Sequence, residues 1–172
     1  MNRRALSLAF VAMIALGVPL LAGCGGVQGA VEKAAGDAIG GNVDINSKGL
    51  SITDSNGNQV QLGEDVTMPG NWPAAVPQLE GGKLVSVMVA GDGASANAMW
   101  TTDAAVADAA KSYSDALIGA GFTADQNANA AGAETGQFSG NGYTVNMVVS
   151  GSGDTTSVLV NAEKSGASAS AS

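Results

Sequence analysis

The stretch Tyr143-Thr144-Val145-Asn146-Met147-Val148-Val149-Ser150 alternates apolar and polar side chains, and only Val148 breaks the pattern. Because successive side chains of a strand point to opposite faces, this pattern predicts a strand with one buried face. Gly140-Asn141-Gly142 precedes it and is typical of a tight hairpin turn, with Gln137-Phe138 in the other arm. Val158-Leu159-Val160 predicts the last strand of the sheet.

The segment between residues 101 and 122 has the periodicity of an amphipathic helix. One face collects apolar side chains at 4-3-4 spacing, namely Val106, Ala110, Tyr113 and Leu117. The opposite face collects charged ones, namely Asp108, Lys111 and Asp115. We predict that Thr101 or Thr102 caps the helix, with Asp103 in its first turn. The apolar face is expected to cover a sheet, with Tyr113 partly exposed.

Two further strands are predicted in front of this helix, over residues 84–89 and 94–100. Asp125 to Gly132 is polar and rich in Ala and Asn, which favours a mobile loop. The simplest fit is an α+β domain: an antiparallel sheet with one main helix packed on one face, preceded by a β-hairpin. The other face must be covered by a proline-rich segment or by the hairpin, or else be exposed to a partner.

The hairpin is indicated between residues 43 and 62. Short alternating runs flank residues 54–58, which contain Asn-Gly, a strong turn signal because both central residues of the favoured turn need positive φ. The alternative is a calcium loop. Its ligands would have the spacing of the first and last ligands of an EF-hand, at Asp54, Asn56, Asn58 and Asp65. Gln59 occupies the position that requires glycine, so we favour the turn.

The segment 68–82 holds three prolines, at positions 69, 73 and 77, around Trp72. Proline fixes φ and lacks a backbone donor, so this segment is expected to be extended and outside any central strand. One interpretation is a connector that pins Trp72 against the domain, which is the common role of a tryptophan beside prolines. The other is a recognition segment whose candidate partner surface comprises Trp72, Pro73 and Pro77.

The N-terminal residues have the pattern of an export signal. Arg3 and Arg4 precede an uncharged run from Ala5 to Ala22, which ends in small residues before a cysteine. Leu21-Ala22-Gly23-Cys24 resembles the lipobox of bacterial lipoproteins. That resemblance implies that the sulfur of Cys24 carries a diacylglycerol and that the chain is cut just before it. The alternatives are an ordinary signal peptide with an unrelated cysteine, or an uncut anchor.

These patterns divide the chain into four parts. Residues 1–23 are the lipoprotein signal peptide, and residues 24–42 are a lipid-anchored, Gly/Ala-rich tether that includes, in one interpretation, a short helix. Residues 43–164 are the α+β domain, and residues 165–172 are a disordered Ser/Ala tail. Two acyl chains make membrane attachment stable, so we expect the protein on the extracytoplasmic face of the cell membrane.

Composition narrows the chemistry. After Cys24 the chain has five lysines, no arginine and no histidine, against fifteen acids, a net charge of −10. Such a charge repels phosphate backbones, which argues against nucleic acid as a partner. Without histidine there is no Ser-His-Asp triad, and acylation of Cys24 leaves no thiolate nucleophile and no zinc site. We therefore predict no metal, no cofactor and no catalytic residue.

Residues 58–162 resemble small lipoproteins of unknown function from actinobacteria. The resemblance is carried by Pro69, Trp72-Pro73, Val76-Pro77, residues 81–85, Trp100, Val106, Tyr113, Leu117 and Gly121-Phe122. It implies a shared fold and a lipid anchor, and it implies no catalytic role for any residue.

The expected function is that of a lipid-anchored envelope protein, a non-enzymatic binding or interaction module with an envelope protein as a candidate partner. One alternative is a carrier or sensor of an apolar small molecule or lipid, which needs an apolar pocket behind Trp100 and Tyr113. Another is a carboxylate-based hydrolase of cell-wall glycans. It needs two acids about 5 to 9.5 Å apart across a cleft, and the candidates are Asp92, Asp125, Glu134 and Asp154.

Overall fold

The computed structural model describes residues 26–130 and 132–166, which form two helices and nine strands. In chain order the elements are α1 (Gly26–Ile39), β1 (Asn42–Asn46), β2 (Gly49–Thr53), β3 (Gln59–Gly63), β4 (Lys83–Val89), β5 (Ser95–Thr102), α2 (Val106–Gly119), β6 (Thr123–Ala130), β7 (Ala133–Gly140), β8 (Tyr143–Ser152) and β9 (Thr155–Lys164). The predicted class, an α+β fold with an antiparallel sheet, is confirmed, and the sheet dominates it.

All nine strands belong to one antiparallel sheet in the order β1-β2-β3-β4-β5-β9-β8-β7-β6. The chain builds two meanders, β1 to β5 and β6 to β9, and joins them where β5 pairs with β9 from Ser95↔Glu163 to Thr102↔Thr156. Helix α2 connects the two meanders and packs on β6, β7, β8 and β9. One face of the second meander is therefore covered by the helix.

The core lies between α2 and this face of the sheet. Helix α2 contributes its predicted apolar side, with Ala109, Ala110, Tyr113 and Leu117 buried. Tyr113 is fully buried, so the prediction of partial exposure is wrong. Its ring lies 6.1 Å from that of Trp100 between centroids, and its hydroxyl donates to the Pro77 carbonyl at 2.8 Å. A buried tyrosine hydroxyl needs such a partner, and the proline segment supplies it.

The proline segment covers the same face of the sheet beside α2. Trp72 packs edge-to-face on Trp100, with ring centroids 6.1 Å apart and an interplanar angle of 88°. The Trp72 Nε1–H donates to the Val76 carbonyl at 2.9 Å, which closes the segment on itself. Val76 and Leu79 join the same buried cluster. The proline segment thus covers the core together with α2.

The start of α2 differs from the prediction. Thr101 and Thr102 belong to β5, and the helix begins at Val106 after Ala105, whose side chain makes no capping hydrogen bond. Pairing of β5 with β9 through Thr102↔Thr156 keeps both threonines in the sheet. Asp103 therefore precedes the helix. Lys111 and Asp115, on the charged face of the helix, form an ion pair at 2.6 Å.

Two segments with few large apolar side chains are more ordered than their local sequence indicates. The mobile loop expected over residues 125–132 is wrong, because most of it belongs to β6, which pairs with β7 from Thr123↔Ser139 to Ala130↔Ala133. The expected tether over residues 24–42 contains the 14-residue helix α1, which packs against β1. In both cases contact with a neighbouring strand outweighs the weak local signal.

Candidate functional site

The predicted lipid-attachment residues lie outside the described part of the chain; they are Cys24 with Leu21, Ala22 and Gly23. Helix α1 begins at Gly26, two residues after Cys24. Across residues 26–130 and 132–166, neither helix has the length and apolarity needed to cross a bilayer.

The three residues of the candidate partner surface, Trp72, Pro73 and Pro77, are mostly covered by the rest of the fold. Trp72 and Pro73 are buried and Pro77 is half-buried. The Pro77 carbonyl is occupied by the hydroxyl of Tyr113. The geometry therefore favours the connector interpretation of this segment, because a partner could not reach Trp72 without opening the core.

The candidate calcium ligands serve the turn between β2 and β3 instead. The Asp54 carboxylate accepts from the backbone N–H of Asn56 at 2.8 Å and of Asn58 at 2.9 Å, and from the Asn58 amide at 2.7 Å. Partial desolvation opposes ionisation, but these donors hold the pKa of Asp54 below its ordinary value. Asp65 pairs with Lys48 at 2.6 Å. Among the described residues no group of three metal-binding side chains is placed to hold an ion.

The four candidate catalytic acids do not converge. Asp92, in the β4–β5 turn, and Asp125, in β6, lie at one end of the sheet, but β5, β9, β8 and β7 separate them, roughly 19 Å at the usual strand spacing. Glu134 and Asp154 lie at the opposite end. Glu134 is opposite Val149 of β8. Ser152 lies three residues, or roughly 10 Å, farther along β8 than Val149, and Asp154 follows Ser152.

The apolar pocket that a lipid carrier would need behind Trp100 and Tyr113 is occupied. Both side chains are buried, and they belong to one closed cluster with Leu117 and Phe138. A separate open groove of about 400 Å³ lies between α2 and the β6–β7 hairpin. Its rim is polar, and its charged groups are already partnered: Glu134 with Asn129 at 3.3 Å and Lys111 with Asp115.

The face of the sheet opposite α2, which we call the open face, is covered neither by α2 nor by the proline segment. Strand β8 shows the two sides. Its buried residues on the α2 side are Val145, Met147 and Val149. Asn146, Val148 and Ser150 point to the open face and are exposed. Two segments were candidates to cover this face. The proline segment lies on the α2 side instead, and the N-terminal strands extend the sheet and do not cover it.

A line of uncharged amides crosses the open face, and we call it the amide row. Strand register places its five members directly opposite one another on β5, β9, β8, β7 and β6: Asn97, Asn161, Asn146, Gln137 and Gln126. The Gln137 amide donates to Asn146 Oδ1 at 3.1 Å. In the described chain Asn161 Oδ1 is shielded from solvent and accepts no hydrogen bond. A ligand cannot reach that oxygen, but the side chains of Asn97 and Gln126 also make no hydrogen bond within the described chain, so the row keeps hydrogen-bonding capacity that the fold does not use.

The amide row was missed by sequence reasoning for a definite reason. Alternation within β8 assigns Asn146 to the polar side, and the same pattern assigns Asn97 and Asn161. Their alignment depends on the pairing of β5 with β9, strands more than fifty residues apart in the chain. A search for Asn and Gln in the same phase of several predicted strands is the signal that could have found it.

Comparison of the chain with protein-family models, with curated proteins and with solved structures found no significant match.

Proposed function

We propose that this chain is a lipid-anchored protein of the cell envelope that binds a partner on the extracytoplasmic side and catalyses no reaction. The lipobox-like Leu21-Ala22-Gly23-Cys24 supports the anchor. The open face supports a binding role. In this proposal α2 is the main helix of the domain. The hairpin of β2 and β3 precedes α2 in the chain and lies on the membrane-proximal side of the domain.

The observation that carries the binding role is the amide row. Each amide side chain offers two donors and an acceptor, and none of the five carries a charge. Such a surface suits a ligand whose own groups both donate and accept, as neutral hydroxyl groups do. The row spans roughly 19 Å over four strand spacings. The proposed ligand class is therefore a neutral, hydroxyl-rich glycan of the envelope.

The binding test uses residues 26–172 and cell-wall polysaccharide prepared from the source envelope. We expect the double variant Asn146→Ala/Gln137→Ala to bind about tenfold more weakly, since two hydrogen bonds contribute about 1 kcal/mol each or somewhat less. The matched control, Asn127→Ala/Asn129→Ala, removes two amides that line the groove beside α2. If both double variants bind as the wild type does, or if the wild type binds no neutral glycan, the proposed role of the row is wrong.

The anchor is tested by fractionating cells. Cys24→Ala removes the thiol that would be acylated, so the protein should leave the detergent-extracted membrane fraction. Ser47→Ala, in an exposed turn outside the lipobox, serves as the control. A Cys24→Ala protein that stays in the membrane fraction and uncut, as the wild type would, contradicts the lipoprotein assignment.

A further inference from the structure

The apolar side of the sheet changes face along the strand order. In β4 the buried Val87 faces the α2 side, but the residues in line with it on β3, β2 and β1 are the polar Gln61, Ser51 and Asp44. The apolar residues of these strands point instead to the open face. With Met88 of β4 they form a set that we call the apolar patch: Ile45, Leu50, Ile52, Val60, Leu62 and Met88.

The apolar patch is accessible. Met88 is 54% exposed, Leu62 43% and Ile45 38%. Seven large apolar side chains are exposed in the described residues, and five of them lie on the open face, the other two being Val31 and Ile118. The exposed apolar side chains are therefore gathered on one face, whereas single, scattered ones are ordinary on a protein surface.

The patch lies beside the start of the folded chain. Helix α1 packs against β1, and Val43, at the β1 end of the same face, is buried. Glu32 of α1 accepts a hydrogen bond from the Ile45 N–H at 2.9 Å, so α1 runs alongside β1 in the opposite direction. Val31, 46% exposed, is therefore close to the Ile45 end of the patch. The first turn of α1, two residues after Cys24, lies beyond that end.

We propose that the apolar patch rests on the lipid surface of the membrane that holds the anchor, which orients the domain with β1–β4 toward the bilayer. This inference rests on the proposed lipid anchor at Cys24. Each methylene of the patch that is buried in lipid adds to the binding free energy that the acyl chains supply. Because the anchor already attaches the protein, the patch does not have to bind lipid unaided. The surface it contacts is the apolar boundary of the bilayer beneath the head groups.

Charge favours this orientation. After Cys24 the chain carries five lysines and fifteen acids, so it is repelled by anionic head groups and should approach them through an uncharged surface. No member of the apolar patch is charged. The patch occupies two rows of side chains on the open face. One row continues across the sheet as the amide row, and the other continues as Met99, Leu159 and Val148. These two rows of the open face thus contain no acid.

Area argues against a second copy of the chain as the occupant. Each outward side chain of a sheet takes roughly 33 Å², from the strand spacing and the two-residue repeat, so the six side chains present roughly 200 Å². A stable interface buries about 800 Å² on each partner. The patch is too small to hold a free dimer, whereas an anchored domain needs only to be oriented.

Sheet twist turns the far end of the amide row away from the bilayer. Neighbouring strands rotate by about 20° or more, and five steps separate β2 from β8, so the two halves of the open face point roughly 100° apart. With the apolar patch on lipid, Asn97 stays beside Met88, whereas the amides on β8, β7 and β6 face sideways or outward, where an envelope ligand can reach them.

The test places a fluorophore on the full-length lipoprotein in vesicles of phosphatidylcholine with brominated acyl chains. Cys24 is the only cysteine of the chain and would be acylated, so Leu62→Cys supplies a single thiol to label. Bromine quenches only what lies at the apolar boundary, so we expect strong loss of fluorescence at position 62. Ile118→Cys, on α2 and 53% exposed, is the matched control and should keep its fluorescence. Met88→Cys repeats the test if Leu62→Cys does not fold.

The outcomes separate the two proposals. Vesicle-bound protein with quenching at 62 and not at 118 supports the orientation. Equal quenching at both positions, or none at 62 in vesicle-bound protein, overturns it while the anchor stands. A label at 62 that is shielded from an aqueous quencher but not quenched by bromine means that protein, not lipid, covers the patch. Protein that carries no lipid and stays free of the vesicles overturns the anchor, and the orientation with it.

Discussion

At the residue scale, Tyr113 joins the three parts of the core. It comes from α2, its ring lies beside Trp100 of β5, and its hydroxyl donates to Pro77 in the proline segment at 2.8 Å. Burial raises the pKa of Tyr113 well above its ordinary value. The neutral form is therefore the one that the folded protein prefers, and its stability contribution is complete at every pH below the unfolded pKa of about 10.

Tyr113→Phe should lower the free energy of unfolding by about 1–2 kcal/mol at pH 8, because the partly buried Pro77 carbonyl loses its donor. Above pH 10 the wild type should lose stability as the unfolded tyrosine ionises, by up to about 1.4 kcal/mol per pH unit from this group. The variant lacks that loss. Urea denaturation of both proteins at pH 8 and pH 11 measures the two effects. A gap between them that does not narrow at pH 11 would contradict the argument.

Sequence periodicity assigned Tyr113 to the apolar face of α2 but not to full burial. Its spacing with Ala110 and Leu117 is local information. Its depth depends on Pro77, thirty-six residues earlier, and on the position of the proline segment over the sheet. For the same reason the local sequence does not decide whether Trp72 is exposed to a partner, because its burial depends on contact with Trp100.

At the element scale, the hairpin of β7 and β8 depends on Asn141. The strands pair up to Gly140↔Tyr143, so the turn has two residues, and both have positive φ: 50° at Asn141 and 78° at Gly142. Asparagine tolerates this conformation better than most residues. Its amide also donates to the Ala120 carbonyl at 2.8 Å, which ties the hairpin to the end of α2.

Replacing Asn141 separates these two roles. Asn141→Gly keeps a backbone that adopts positive φ but loses the bond to Ala120, so we expect a loss of about 0.5–1 kcal/mol. Asn141→Ala loses both and should cost about 1 kcal/mol more, the steric penalty of a left-handed residue with a Cβ. Thermal and urea unfolding give the two values. Alanine that is as stable as glycine at this position would show that the turn does not need the asparagine.

Elements with a strong local sequence pattern are predicted correctly, and elements with a weak pattern are not. The turn at Gly140–Gly142, the alternation of β8 and the apolar side of α2 all appear in the structure. The sequence of β6 favours a loop because Thr123–Ala130 has no large apolar residue. It is held by pairing with β7 along its length, and its side chains contribute little to the core.

At the scale of the whole molecule, an open sheet has two edges, and this one protects them differently. Strand β1 is flanked by α1, whose Glu32 accepts a hydrogen bond from the edge N–H of Ile45. Strand β6 has an irregularity between Ala124 and Gln126, where Asp125 places a charge on the edge. Covering helices, bulges and charges are the devices that keep edge strands from pairing with other chains. Which strands are edges could not be predicted, because the order follows from the long-range pairing of β5 with β9.

This asymmetry predicts that α1 prevents association through β1. Proline in the interior of a helix costs about 3 kcal/mol, so Ala34→Pro, at an exposed position in the middle of α1, should unfold the helix and leave the sheet intact. The uncovered β1 should then pair between molecules. We expect the lipid-free domain with Ala34→Pro to form dimers or larger species as its concentration rises, and Ala34→Ser to behave as the wild type. Sedimentation velocity measures the association, and far-UV circular dichroism checks that helix is lost. A variant that loses α1 and yet sediments as the wild type does at every concentration would mean that the twist and short length of β1 protect this edge without the helix.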